Sequence, residues 1–137
     1  MEIKKTIKKD ELKQAMNNIF DDFEKEINVN IEYEEFYYEA TDNGKIIGGI
    51  IGWRNFNEIY IEEMCVDKNY RNQGIGKKLL EIVEKEIGND SCDYINLATN
   101  EFQNAVEFYK KCGFEIEYKR ENKRNKILSK YGMIKIL

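Results

Sequence analysis

MCVDKNYRNQGIGKKLL, Met64–Leu80, passes from a strand-like run to a helix-like run through a turn that carries Gly74 and Gly76. Glycine loses more chain entropy on folding than any other residue, so a pair at a helix start needs a reason. A tight turn is one reason. The other is close approach of an anion to backbone N–H groups, because a helix N-terminus carries roughly half a positive charge. Two familiar phosphate loops do not fit. A Walker A loop needs glycine at 71 and Ser or Thr at 78, where Arg71 and Lys78 stand. A dinucleotide fingerprint needs glycine at 79, which is Leu79. What remains is strand, then Arg71-x-x-Gly74-x-Gly76, then helix.

The flanking pattern is that of an α/β chain. EIKKTI reads as a short first strand. From Asp10 to Ile27, Leu12, Ala15, Met16, Ile19, Phe20, Phe23 and Ile27 recur at helical spacing, with Asp10 as the expected N-cap. FYYEA and KIIGGIIGW flank Asp42-Asn43-Gly44, a hairpin signal, and EIYIEEMCV reads as the next strand. Beyond the glycine turn, Ile75, Leu79, Ile82, Val83 and Ile87 mark a buried helical stripe, with Glu81 and Lys85 expected to pair outside it. YINLAT reads as a buried strand, and Ala105, Phe108, Tyr109 and Cys112 as one face of a short helix closed by Gly113. FEIEYKR and YGMIKIL make a last pair of strands, with KRENKRNK an exposed hairpin end. The order β-α-β-β-β-α-β-α-β-β predicts a mixed sheet in a single domain over 1–137.

Composition narrows the chemistry. A net charge of −4, from 22 basic and 26 acidic residues, argues against general nucleic-acid binding. No apolar run reaches the ~20 residues of a membrane span, and the first residues lack a signal-peptide core. Three scattered cysteines do not make a disulfide framework, which points to a cytoplasmic setting. With no histidine in the chain, Ser-His and Cys-His pairs and His-ligated metal sites are excluded. The general base must be a carboxylate, tyrosine, lysine or water, and no metal is expected.

The stretch Met64–Leu80 resembles the acetyl-CoA signature of the GNAT N-acetyltransferase superfamily, Arg or Gln-x-x-Gly-x-Gly or Ala, on the elements where that family carries it. NAVEFYKKCGFE resembles the family's second signature. The resemblance runs from about Ile46 to the C-terminus, and GGIIGW, YIEEMCV and FQNAVEFYKKCGF are similar to small stand-alone bacterial members. It implies the GNAT acyl-CoA N-acyltransferase fold, a mixed central sheet splayed between the fourth and fifth strands and flanked by helices.

It also implies roles. Arg71, Asn72, Gln73, Gly74, Ile75, Gly76 and Lys77 would cradle the coenzyme A pyrophosphate through main-chain N–H groups. Gly74 and Gly76 would open space for it, while Asn72, Gln73 and Ile75 would be free to vary. Arg71 would either add charge or brace the loop, and Lys77 and Lys78 would either meet the coenzyme or form a solvated face. Met64, Cys65 and Val66 would offer main-chain contacts to the pantetheine arm and an oxyanion donor. Cys65 itself reads as a small core residue, not a nucleophile. Tyr109 matches the tyrosine that hydrogen-bonds the coenzyme sulfur. Strand alternation puts Tyr60, Glu62 and Met64 on one face and Ile61, Glu63 and Cys65 on the other. Glu62 is the chosen base, alternatively an attractor for a cationic substrate. Asn104 would contact the coenzyme, although the commoner pattern has Asn where this chain has Phe102.

The expected reaction is transfer of acetyl from acetyl-CoA directly to a primary amine of a small molecule. A protein or peptide acceptor, or a coenzyme-binding module without turnover, are the alternatives. The acidic region Asp21, Asp22, Glu24, Glu26, Glu32, Glu34 and Glu35 would suit an amine or polyamine, or is a solvated face. Tyr37 and Trp53 would pack either on substrate or in the core. A homodimer through an exposed strand edge is compatible with the fold, and the sequence does not decide it.

Overall fold

The structure, a computed structural model, describes residues 1–29 and 32–137. They fall into two compact units, Met1–Ile31 and Glu32–Leu137.

The first unit holds helix α1, Lys9–Ile27. Its cap position is Lys8, not Asp10, which lies in the first turn and meets the helix dipole there instead. Asn28 ends the helix in the left-handed conformation. The expected strand EIKKTI is absent: a strand exists only as a ladder with a neighbour, and Glu2–Ile7 form none.

The second unit is a six-stranded mixed sheet in the order β1-β2-β3-β4-β6-β5. Its strands are β1 Tyr33–Asp42, β2 Lys45–Asn55, β3 Glu58–Val66, β4 Tyr94–Asn100, β5 Glu115–Arg120 and β6 Lys130–Ile136. Asn43 and Gly44, both at positive φ, close the β1–β2 hairpin. The parallel pairing of β3 with β4 needs a crossover, and that connection carries helix α2, Ile75–Val83. Helix α3, Val106–Lys111, joins β4 to β5, and Gly113 at φ +94° terminates it as expected.

One face of the sheet is the core. Phe36, Ile50, Ile59, Ile61, Ile95, Leu97 and Met133 from the strands pack with Leu79, Leu80, Val83, Ile87, Tyr109 and Phe114. The last turns of the α2 segment, Glu84–Gly88, are π-helical, which removes the expected Glu81–Lys85 pair. Glu81 meets Lys77 at 3.9 Å instead, and Glu84 meets Lys135 at 2.6 Å.

The sheet opens where the resemblance predicts, between β3 and β4. Their ladder runs only from Glu58/Tyr94 to Ile61/Leu97. Beyond it β3 stays paired to β2 as far as Val66, and β4 to β6 as far as Asn100. Because the N-terminal strand is missing, these are the third and fourth strands, not the fourth and fifth.

Candidate active site

The glycine turn lies at the open end of this wedge. Several bonds pin the segment before it. Asp67 N donates to Ile47 O, Tyr70 Oη to Asp42 at 2.9 Å, and Arg71 Nε to Val66 O at 3.1 Å. Arg71 is therefore a brace between strand end and loop. Among the described residues no backbone N–H of Arg71, Asn72, Gln73 or Gly74 has a hydrogen-bond partner. The first amides of α2 follow, free by helix geometry. Such a run of unpaired donors at a helix N-terminus is chemistry suited to a phosphate.

The two glycines do different work. Gly74 is left-handed, φ +80°, and a Cβ there would meet nothing within 4 Å. A Cβ on Gly76 would lie 2.9 Å from Phe108 Cζ, so the space it leaves is filled by α3, not by the open side of the loop. Asn72 is also left-handed, at φ 60°, which restricts a position expected to vary freely. Lys77 lies on the solvated face with Glu81.

The expected alternation along β3 fails at one residue. Ile51 pairs with Glu63 and Gly52 with Ile61, leaving Glu62 as the extra residue of a β-bulge. Past the bulge the faces exchange. Ile59, Ile61, Met64 and Val66 share the core face, while Tyr60, Glu62, Glu63 and Cys65 share the other. Glu62 is exposed, and Cys65 is an exposed free thiol, not a core residue. Main-chain contacts from Met64, Cys65 and Val66 remain available on the side facing β4, where no ladder forms.

Tyr109 is buried between Phe108 and Phe114, with ring centroids 5.1 and 5.6 Å away in edge-on arrangements. Burial, with a smaller contribution from Cys112, pushes its phenol up to about 12. Its hydroxyl has no protein hydrogen-bond partner and is not sealed from solvent; among the described residues the only sealed, unpartnered side-chain polar atom is Asn55 Oδ1. A buried ring with a free donor at its tip is suited to a charge that appears during a reaction.

Asn104 is left-handed at φ 50° and ends a short turn after β4. The Oε1 of its neighbour Gln103 accepts from Thr99 Oγ1 and Asn100 N. Asn104 lines a cavity of about 300 Å³ with Val106, Lys110, Ile116 and Tyr131. No group of three or more His, Cys, Asp or Glu side chains is placed to hold a metal among the described residues.

Sequence reasoning left the non-core face of β1–β3 almost unread. Tyr33, Trp53 and Tyr60 form a row across three strands, with centroids 6.2 and 5.2 Å apart and tilts near 30°. Tyr37 and Tyr33 both donate to Glu35, at 2.7 and 3.5 Å. Burial raises the phenols of Tyr33 and Tyr60, and the hydrogen bond to Glu35 raises that of Tyr37, with Glu62 adding a smaller contribution at each. The alternation in YEEFY, which puts Tyr33, Glu35 and Tyr37 on one side, was the available signal.

Known proteins share this fold. Residues 33–116 match the acetyltransferase (GNAT) domain. An acetyltransferase from Bacillus cereus ATCC 14579 superimposes with a TM-score of 0.81 at 28% identity, covering 100% of this chain and 98% of that one. A Bacillus anthracis protein described as a streptothricin acetyltransferase, solved with acetyl coenzyme A, gives 0.67 at 30% identity over 75% and 62% of the two chains. N-alpha-acetyltransferase 30 of Schizosaccharomyces pombe is 32% identical over 95 residues, 65% of this chain and 63% of that protein. The chain spans less than two thirds of the length of the curated relatives it matches.

Proposed function

The chain belongs to the GNAT acetyltransferase family, and from that membership we propose that it transfers the acetyl group of acetyl-CoA to a primary amine of a small molecule. The observation that carries the reading is the wedge between β3 and β4, with unpaired amides at its open end. The amides of Arg71–Gly74 and the start of α2 would hold the diphosphate. The free edge of Glu62–Val66 would pair with the pantetheine arm and point an amide at the thioester oxygen, a donor aimed where charge develops. Proximity then supplies much of the rate.

Two proton positions matter. An amine with a pKa of ~10.4 is protonated at neutral pH and must lose a proton before its nitrogen forms the C–N bond. Glu62, or a water beside it, would take that proton. Tyr109 would hydrogen-bond the sulfur as the C–S bond breaks. With its phenol at about 12, full transfer to a thiolate of pKa ~8.5 is uphill by about 5 kcal/mol. Tyr109 therefore acts as a hydrogen-bond donor that strengthens as charge grows, and the final proton comes from solvent.

Acetyl-CoA with an amine panel tests the proposal. Free thiol should appear in proportion to acetylated amine. Tight coenzyme binding with no thiol from any amine would instead mark a binding module. A polypeptide N-terminus is the second reading, favoured by the likeness to N-alpha-acetyltransferase 30.

A further inference from the structure

Helix α1 carries an apolar stripe that nothing in its own unit covers. Leu12, Met16, Ile19, Phe20, Phe23 and Ile27 are each between 45% and 64% exposed, and no residue of the helix is buried. They share one face, because their spacing follows the helical repeat. A 19-residue helix is only marginally stable in water by itself, and helices in proteins are held mainly by packing their apolar face.

The stripe is complementary to itself. The intervals along it are four, three, one, three and four residues, which read the same in both directions. A second copy of α1 laid antiparallel across the first therefore meets apolar with apolar at every level. Leu12 lies level with the second copy's Ile27, and Met16 with its Phe23. Ile19 and Phe20 meet their own counterparts at the two-fold axis. A contact of this kind uses one surface patch twice. Two sets of six side chains, each about half exposed, take roughly 1,000 Å² out of water, near the lower bound for a specific interface.

Charge selects the antiparallel orientation over the parallel one. Lys4, Lys5, Lys8, Lys9 and Lys13 precede the middle of the stripe, and Asp21, Asp22, Glu24 and Glu26 follow it. Of the exceptions, Glu11 is already engaged by Lys8 at 3.9 Å. Parallel pairing would set like charge beside like. Antiparallel pairing sets the basic start of each helix beside the acidic end of the other, and opposes the two helix dipoles. Lys13, Phe20 and Glu24 lie on one flank of the stripe, so Lys13 comes within a turn of the second copy's Glu24. An anionic membrane surface would suit the lysine end alone.

We propose that the chain forms a two-fold dimer through antiparallel α1 helices, with Ile19 and Phe20 at the axis. The contact uses no residue of the coenzyme turn or the wedge, so it stands or falls separately from the acetyltransferase reading.

Sedimentation equilibrium of the full chain, from low to high micromolar concentration, should show a reversible monomer–dimer equilibrium. Phe20→Asp should raise the dissociation constant at least about a hundredfold. Lys13→Glu should weaken the dimer about tenfold, and adding Glu24→Lys should restore it. These two positions are eleven residues apart, too far to meet within one helix, so rescue reports contact between copies and not a change in folding. In a Cys65→Ser background, a short bismaleimide should link Phe20→Cys to its counterpart. It should not link Leu12→Cys, because antiparallel helices hold the two copies of that position about 22 Å apart.

A monomer at every concentration overturns the proposal. So does a dimer that Phe20→Asp leaves intact, which would place the contact on another surface such as a strand edge. Cross-linking of Leu12→Cys to its counterpart, or failure of Glu24→Lys to rescue Lys13→Glu, overturns the antiparallel pairing.

Discussion

Gly76 and Phe108 are in direct opposition: a Cβ built on the first turn of α2 would lie 2.9 Å from the tip of the α3 ring. The second glycine of the Arg71–Gly76 turn is therefore also the contact through which α2 and α3 approach, and α3 carries Tyr109. Gly76→Ala should destabilise the fold by about 1–2 kcal/mol, because overpacking outweighs the roughly 1 kcal/mol helix preference for alanine. In a Phe108→Leu background the same change should be neutral or stabilising. Urea denaturation of the four proteins in this cycle measures the coupling, and additive effects would show that the ring yields freely.

Asn72 and Gly74 are both left-handed, at φ 60° and 80°. Asn72→Gly should keep stability and coenzyme affinity. Asn72→Val should lose about 1–2 kcal/mol of stability or a corresponding amount of coenzyme affinity, since a β-branched residue is strained there. Gly74→Ala should weaken coenzyme binding through backbone strain alone, because its Cβ would meet no neighbour. Calorimetric titration with coenzyme A checks all three.

Tyr109→Phe should lower kcat about 10–100-fold and leave coenzyme A affinity nearly unchanged. Because burial holds the phenol at about 12, the unaltered enzyme should show no activity loss from Tyr109 ionisation below about pH 11. Equal rates for the two proteins would remove Tyr109 from the chemistry.

The same burial predicts how stability responds to alkali. The folded-state pKa lies above the ordinary value near 10, so the folded chain holds the proton more tightly than the unfolded chain. The associated stabilisation, about 3 kcal/mol, is fully present below pH ~10 and is lost as pH rises toward ~12. Tyr109→Phe should lack this share of the alkaline decline in thermal unfolding scans. A slope unchanged by the substitution would mean the ring is not buried as described.

Past the bulge, Cys65 points away from the core. Alkylation of the native protein should modify Cys65 first, then part-buried Cys112, and Cys92 only on unfolding; burial pushes both of these last thiols up. Deleting Glu62 would remove the bulge and restore simple alternation with Met64 and Val66 still facing the core, so Cys65 should remain the first thiol labelled. Mass spectrometry of labelled peptides from both proteins checks this.

Much of this protein is local in origin. The Asn43-Gly44 hairpin, the span of β3, the stripe of α2 and the Gly113 stop each follow from the conformational preferences of a few adjacent residues, and residue types alone singled out the Arg71–Gly76 turn and Tyr109 as candidates. The expected strand at Glu2–Ile7 failed because alternating residues make a strand only when a partner edge receives them. The faces of Glu63, Met64 and Cys65 were invisible for a related reason. A bulge is a mismatch in count between two paired strands, one residue of β2 opposite two of β3, so it exists only in the pairing. The same holds for the row Tyr33–Trp53–Tyr60, whose members are far apart in the chain and become neighbours through strand register, and for the service of Gly76 to Phe108 across two helices. Local chemistry chose the elements; long-range pairing chose which side chains share a face.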